Sequence, residues 1–289
     1  MTVGRASRRH MSQRTAFSLL IVATIIVVLP VLAIVVQIIV SGADAISLEF
    51  LTEAPSQAGK AGGILPAIVG TFYLMLGTIV VALPLGVMAG IYLTEYARDN
   101  WFTRAINLAI VNLAGVPSIV YGLFGLGVFV LLFHFGMSLL SASLTLACQA
   151  LAMTVTTSRE AILAVPREYR EGSLAVGATR WQTIRHLVLP QALPGIITGA
   201  VLAMSRAAGE TAPILVVGAA FLLPGLPQSP FDQFMALPYH LYVMSTQHHA
   251  IVKVRPIAYG TALVLIVMVF LINLSAVILR YHLRKLKRE

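Results

Sequence analysis

The sequence predicts an all-α integral membrane protein with six transmembrane helices, and three observations carry that prediction. Of 289 residues, 58% are hydrophobic and only 11% charged, with a mean hydropathy of +0.88, which leaves too little polar surface for a water-soluble fold. Six apolar runs are long enough, at about 20 residues or more, to cross a hydrocarbon layer about 30 Å thick. The basic residues gather at the termini and in alternate connections between those runs. A formal net charge of +9 would suggest nucleic acid in a soluble protein, but this distribution is that of membrane flanks beside anionic lipid. The expected surroundings are therefore a lipid bilayer, with no nucleic-acid partner.

The runs fall near 17–40, 66–94, 106–134, 139–157, 193–220 and 257–280. The first follows Arg5, Arg8, Arg9 and Arg14 and precedes Ala43-Asp44-Ala45, which has the outline of a signal peptide. It exceeds the roughly 7 to 15 residues of a signal core, so it reads as a retained span. Pro30, Pro84, Pro117 and Pro213 lie within runs and predict kinks, since neighbouring helices satisfy the freed carbonyls. Gly86-x-x-x-Gly90 and Gly195-x-x-x-Gly199 predict close helix packing. Trp101, near Arg98 and Arg104, reads as an interfacial anchor.

Six spans with both termini cytoplasmic place 158–192 inside, and 41–65 and 221–256 outside. Of the 20 Lys and Arg residues, only Lys60, Lys253 and Arg255 then fall outside and only Arg206 within a span; the opposite orientation would translocate nearly every positive charge. The chain divides into a tail, first helix and outer loop (1–63), a core of five spans (64–281) and a basic tail (282–289). The lone Cys148 excludes an internal disulfide and reads as a packing residue. His240, His248, His249 and Asp232 lack metal-ligand spacing, and no phosphate-binding loop is present.

Segment 158–192 carries local signals. Pro166 suits a helix start, Gly177 a left-handed helix end, and Thr179 with Gln182 a capping box opening a second helix. Two short helices at a sharp corner result. Within them Glu171-Gly172-Ser173, three residues, Gly177, nine residues and Leu187-x-Leu189-Pro190 resemble the "EAA" loop of ATP-binding-cassette (ABC) import permeases. Gly172 and Ser173 replace the two alanines of that pattern and Leu187 its isoleucine. The resemblance implies a type I ABC importer permease fold (MetI-like), with the first loop helix docked in a cleft of a separate ATPase. Gly172, Ser173, Ala175 and Ala178 would permit close approach, and Arg167, Glu168, Arg170 and Glu171 charge pairing at the rim.

The fifth run carries Arg206-Ala-Ala-Gly-Glu210-Thr211-Ala-Pro213, two opposite charges one helical turn apart. Each costs about 2.5 to 3.5 kcal/mol at the bilayer centre, so their face must line protein or water. A guanidinium offers planar paired donors to an oxyanion, with Glu210 holding the fork in place; the pair would also serve as a packing lock. The segment resembles the PstA-type permeases of phosphate importers, a likeness running from about residue 64 to the C-terminus.

That resemblance implies passage of inorganic phosphate past Arg206, Glu210 and Thr211 across a bacterial cytoplasmic membrane. It also implies a homologous second permease (PstC-type), two copies of a PstB-type ATPase that bind ATP and Mg, and a periplasmic PstS-type phosphate-binding protein, with no cofactor on this chain. Sulfate, molybdate or phosphonate remain alternative cargoes. A gradient-driven carrier leaves the loop unexplained, and an enzyme lacks a gathered nucleophile and base.

Overall fold

The computed structural model describes residues 3–285. Residues 286–289 of the expected basic tail lie outside the described residues, as do the side chains of Arg5, Arg8, Arg9, Arg14, Arg284 and Lys285. Helix α1 (Val3–Ala43) runs through Pro30 without a break, and no residue from Phe17 to Val40 is buried. Such a surface needs lipid. It leans on the last helix, α12 (Ile251–Lys285), where Gly42 meets the backbone of Tyr259 and Gln37 Nε2 donates to the Tyr259 hydroxyl at 3.3 Å.

The first connection holds the short α2 (Leu48–Thr52) and a two-residue antiparallel ladder of β1 (Pro55–Ser56) and β2 (Ala61–Gly62). The centre of the molecule is three helices: α3 (Leu65–Ile91), α6 (Leu139–Leu163) and α9 (Leu189–Gly209). Both glycine pairs predicted to pack closely do so, on neighbouring faces of α6. A Cβ on Gly86 would strike the Thr154 hydroxyl, and one on Gly90 would sit 3.0 Å from Ser158 Cβ. Gly199 likewise abuts Thr157, and Gly195 would meet Ala161 Cβ at 2.7 Å. The Thr154 and Thr157 hydroxyls donate to carbonyls of their own helix, so polar side chains at this seam are satisfied without water.

Two spans differ from the sequence reading. The run 106–134 is a bent pair, α4 (Trp101–Ala114) and α5 (Ser118–Gly125), continuing as a π-helical stretch Leu126–Leu132, with 105° between the halves. Pro117 lacks an N–H and pushes Val116 out of the helical region, so a break rather than a kink forms. The Tyr121 hydroxyl donates to the Leu113 carbonyl at 2.8 Å, which satisfies a group freed at the end of α4. At about 1.5 Å per residue, α4 rises only about 21 Å and does not span alone.

The run 193–220 ends early, at Gly209, with Glu210 in an extended conformation (ψ 124°) and Pro213 near the start of the short α10 (Ala212–Leu215). The same helical rod begins instead in the polar segment, at α8 (Arg180–Thr183), and passes through a π-helical turn, Ile184–Val188, into α9. Pro190 follows that turn; a widened turn relieves the clash a proline ring makes with the carbonyl four residues back.

At the end opposite the 158–192 segment, β3 (Ala219–Ala220) pairs parallel with β4 (Phe234–Met235), and α11 (Leu237–Thr246) follows. Phe234 through Leu237 are fully buried. Gly70 admits the Met235 carbonyl against α3, and the Leu237 N–H donates to the Thr71 hydroxyl at 2.8 Å. This segment is thus a plug seated between helices. His240 on α11 is fully buried, stacked on Phe221, with Nδ1 3.4 Å from the Phe221 carbonyl and no partner at Nε2 among the described residues.

Burial lowers the His240 pKa from 6.5 to about 4, because the interior rejects the imidazolium. The unfolded chain then takes up a proton near pH 6.5 that the folded chain refuses. Stability is unaffected above that value and falls as pH drops from 6.5 towards 4, by about 3 kcal/mol at most. Thermal unfolding in detergent from pH 7.5 to 4 should show the loss, and His240→Gln should flatten it. An equally steep pH dependence in the variant would assign the effect to other groups.

Candidate functional site

The intramembrane charges gather where α9 ends. Arg206 stands in the last turn of α9, where a cation complements the helix dipole; Glu210 caps that same C-terminus, where a carboxylate is disfavoured. Two groups offset this. Arg206 Nε lies 3.4 Å from Glu210 Oε1, at the long limit of a hydrogen bond. Gln149 Nε2, on α6, donates to the same oxygen at 2.7 Å and is the closer partner. Gln149 is absent from the sequence-predicted site; its only signal is an amide in the middle of an apolar run, which the membrane tolerates only with a partner.

The exposures of the two charged residues set their roles apart: the Glu210 side chain is 17% exposed, that of Arg206 61%. Arg206 Nη1 and Nη2 have no hydrogen-bond partner among the described residues. A cavity of about 20 Å³ is lined by Gln149, Arg206 and Glu210 together with Leu146, Met153 and Ala203, room for about one water. The Gln149 carbonyl oxygen is buried without a partner among the described residues. The site therefore pairs a held carboxylate with a guanidinium whose two terminal nitrogens are unengaged. Thr211 begins α10 without capping it and does not line this cavity.

The loop segment shows the three local features predicted for it. Helix α7 (Arg167–Ala175) starts after Pro166, Gly177 follows it with φ +88°, and Thr179 and Gln182 form both halves of a capping box before α8. The Ser173 and Thr183 hydroxyls share a hydrogen bond of 2.9 Å across the corner. Glu168, Glu171, Gly172 and Ala175 are exposed, with Tyr169, Leu174, Val176 and Trp181 forming apolar surface beside them. An added Cβ at Gly172 meets nothing within 4 Å, so its small size serves no internal packing.

The end of the motif points inward, with Leu187 and Leu189 against Ile162, Val165, Val188 and Ala192 and Pro190 half-buried. One expectation is corrected. Arg170 does not stand at an outer rim: it folds back to Glu95 at the end of α3, with Nη2 2.8 Å from Glu95 Oε1.

Residues 82–289 match the family described as "Binding-protein-dependent transport system inner membrane component". The chain is 35% identical over 251 residues to the "Probable ABC transporter permease protein YqgI" of Bacillus subtilis, covering 83% of this chain and 85% of that one. It is 36% identical over 235 residues to the "Phosphate transport system permease protein PstA 1" of Mycobacterium tuberculosis, covering 79% and 73%. Among solved structures, it is similar to a chain of the inward-facing MetNI methionine ABC transporter (TM-score 0.59, 20% identity, 76% of this chain and 94% of that one). A chain of a bacterial alginate ABC transporter gives a TM-score of 0.68 at 13% identity, covering 93% and 94%. The fold is that of type I ABC importer permeases. Long apolar helices, the motif-bearing loop and these likenesses agree: the chain belongs to the family of inner-membrane components of binding-protein-dependent transport systems, as the multi-pass permease subunit of an ABC importer.

Proposed function

We propose that the cargo is inorganic phosphate and that it passes the Arg206–Gln149–Glu210 cluster on its way through the membrane. The observation that carries this reading is the Arg206 guanidinium, more than half exposed at the end of a transmembrane helix with its terminal nitrogens unengaged. A planar fork of donors suits a tetrahedral oxyanion, while Gln149 and Arg206 restrain the Glu210 carboxylate. Phosphate permeases at 36% identity over most of the chain support the cargo.

A permease of this family is a transport component, not an enzyme, and works with an ATPase and a substrate-binding protein. Here we assign a PstC-type second permease, two PstB-type ATPases carrying ATP and Mg, and a PstS-type binding protein, with both termini cytoplasmic and no cofactor on this chain. Helix α7, through Glu168, Glu171, Gly172, Ser173 and Ala175, is the surface that meets the ATPase. Gly177 sets the corner, and Leu187 and Pro190 root the loop. ATP and cargo shift the balance between outward-open and inward-open states only through differential binding to them.

Glu171→Lys reverses the charge on the exposed face of α7 and should lower co-purification of the ATPase about tenfold while leaving the permease folded. Unchanged co-purification would remove α7 from the interface. The cargo is tested by labelled-phosphate uptake in cells that lack their own phosphate importer and carry this subunit with its neighbouring-gene partners. Saturable, ATP-dependent uptake competed by unlabelled phosphate and not by sulfate, molybdate or phosphonate is expected; competition by one of those anions instead would reassign the cargo.

A further inference from the structure

Helix α7 has no buried residue, so side-chain hydrogen bonds rather than a hydrophobic face hold it to the membrane body. Arg170 makes most of them. Its Nε and Nη2 donate to Glu95 Oε1 at 3.0 and 2.8 Å, its Nη1 to the Val165 carbonyl at 2.7 Å, and its Nη2 to the Ile162 carbonyl at 2.8 Å. Ile162 is in the last turn of α6, whose final carbonyls have no helical partners. Glu95 lies in the π-helical turn Tyr92–Tyr96 that ends α3, where a carboxylate is disfavoured unless it is paired. The Arg170 and Glu95 side chains are 18% and 14% exposed, shielded from the screening that weakens surface ion pairs.

One guanidinium thus ties three elements at a single point: α7, the end of α3 and the end of α6. Above it, Gly86 and Gly90 press α3 against Thr154 and Ser158 of α6, so the two helices move as a unit. Further along α6, Gln149 holds Glu210. An unbroken chain of contacts leads from the exposed face of α7 to the intramembrane charges.

We propose that Arg170 and Glu95 form a latch through which movement of α7 is delivered to the α3–α6 pair, making both of them positioning residues for coupled transport. The proposal rests on α7 being the helix that docks the ATPase. A latch that only stabilised the fold would, when broken, reduce the amount of complex and leave each assembled complex normally coupled. A transmitting latch, when broken, leaves hydrolysis running and wastes it.

The test uses the assembled importer with its ATPases and binding protein, reading ATP hydrolysed and labelled phosphate transported per assembled complex. Glu95→Gln keeps an acceptor and all the carbonyl bonds of Arg170 but removes the charge; Arg170→Gln removes the hub; Arg170→Lys keeps the charge without the fork. The expected result is roughly a tenfold fall in phosphate moved per ATP for Glu95→Gln and Arg170→Gln, with Arg170→Lys between them and wild type. If Arg170→Gln fails to assemble, Glu95→Gln decides. Unchanged phosphate per ATP in Glu95→Gln complexes overturns the latch. Glu171→Lys run alongside separates the two ideas: if it leaves ATPase association intact, the docking assignment for α7 has failed, and the latch falls with it.

Discussion

Replacing Arg206 with glutamine should cut ATP-driven anion uptake by about one to two orders of magnitude while leaving the importer assembled. The fold stands to lose little: the side chain is 61% exposed and makes one long bond, 3.4 Å, to Glu210, while Glu210 keeps the shorter bond from Gln149. The pathway stands to lose much. Charge-assisted hydrogen bonds are worth about 1.5 to 3 kcal/mol, and without the guanidinium the remaining Glu210 carboxylate repels an approaching anion. Arg206→Lys should fall between, since it keeps the charge and loses the planar fork. Initial uptake rates normalised to the amount of co-purified complex check both variants. A packing lock alone would show the reverse pattern, with assembly lost and the rate per complex kept.

The second large effect is expected at the helix seam. Gly199→Val would place its Cβ on the Thr157 hydroxyl and 2.5 Å from Thr157 Cβ, and α6 has little room to shift because Gly86 packs closely against Thr154 on the neighbouring face. Forcing extra atoms into such a contact costs about 1 to 3 kcal/mol, and more where backbone must shift. The variant should show a clear fall in folded, monodisperse protein and in thermal midpoint. Thr157→Ala in the same chain should restore part of both by removing the struck hydroxyl. Failure of that rescue, or a harmless Gly199→Val, would show that α6 and α9 are not held by this contact.

What the sequence made legible follows from where each signal resides. Apolar length is local, and α1, α3, α6 and α12 appear where the runs place them, because no tertiary contact competes with a lipid-length helix. Caps are local too: Thr179 and Gln182 satisfy each other within three residues. Angles are not local. Pro117 announces a disturbance at one point, but not the 105° bend across which the Tyr121 hydroxyl reaches back to Leu113. Hydropathy could not end α9 at Gly209, because Ala212–Ala220 is as apolar as the helix before it; backbone geometry at Glu210 and Pro213 ended it.

The residues missed at the site share one property: their partners are distant in the chain. Gln149 carries no charge and sits in an apolar run, so its role emerges only when α6 brings it to Glu210. Glu95 closes a hydrophobic run and reads as an ordinary interfacial carboxylate until Arg170, 75 positions on, reaches it. Arg170 stands in sequence among the outward charges of α7, and nothing local distinguishes it from Arg167, Glu168 and Glu171. Successive helical side chains point about 100° apart, so Arg170 faces inward while Glu171 next to it faces out.

The most direct test is made on the purified importer in proteoliposomes, with labelled phosphate and binding protein on one side and ATP with Mg on the side of α7. Phosphate should accumulate only with ATP, saturate, and fall by about one to two orders of magnitude in Arg206→Gln complexes that still contain every subunit. Accumulation driven by an ion gradient without ATP, or equal accumulation by wild type and Arg206→Gln, would contradict ATP-driven passage of phosphate at Arg206.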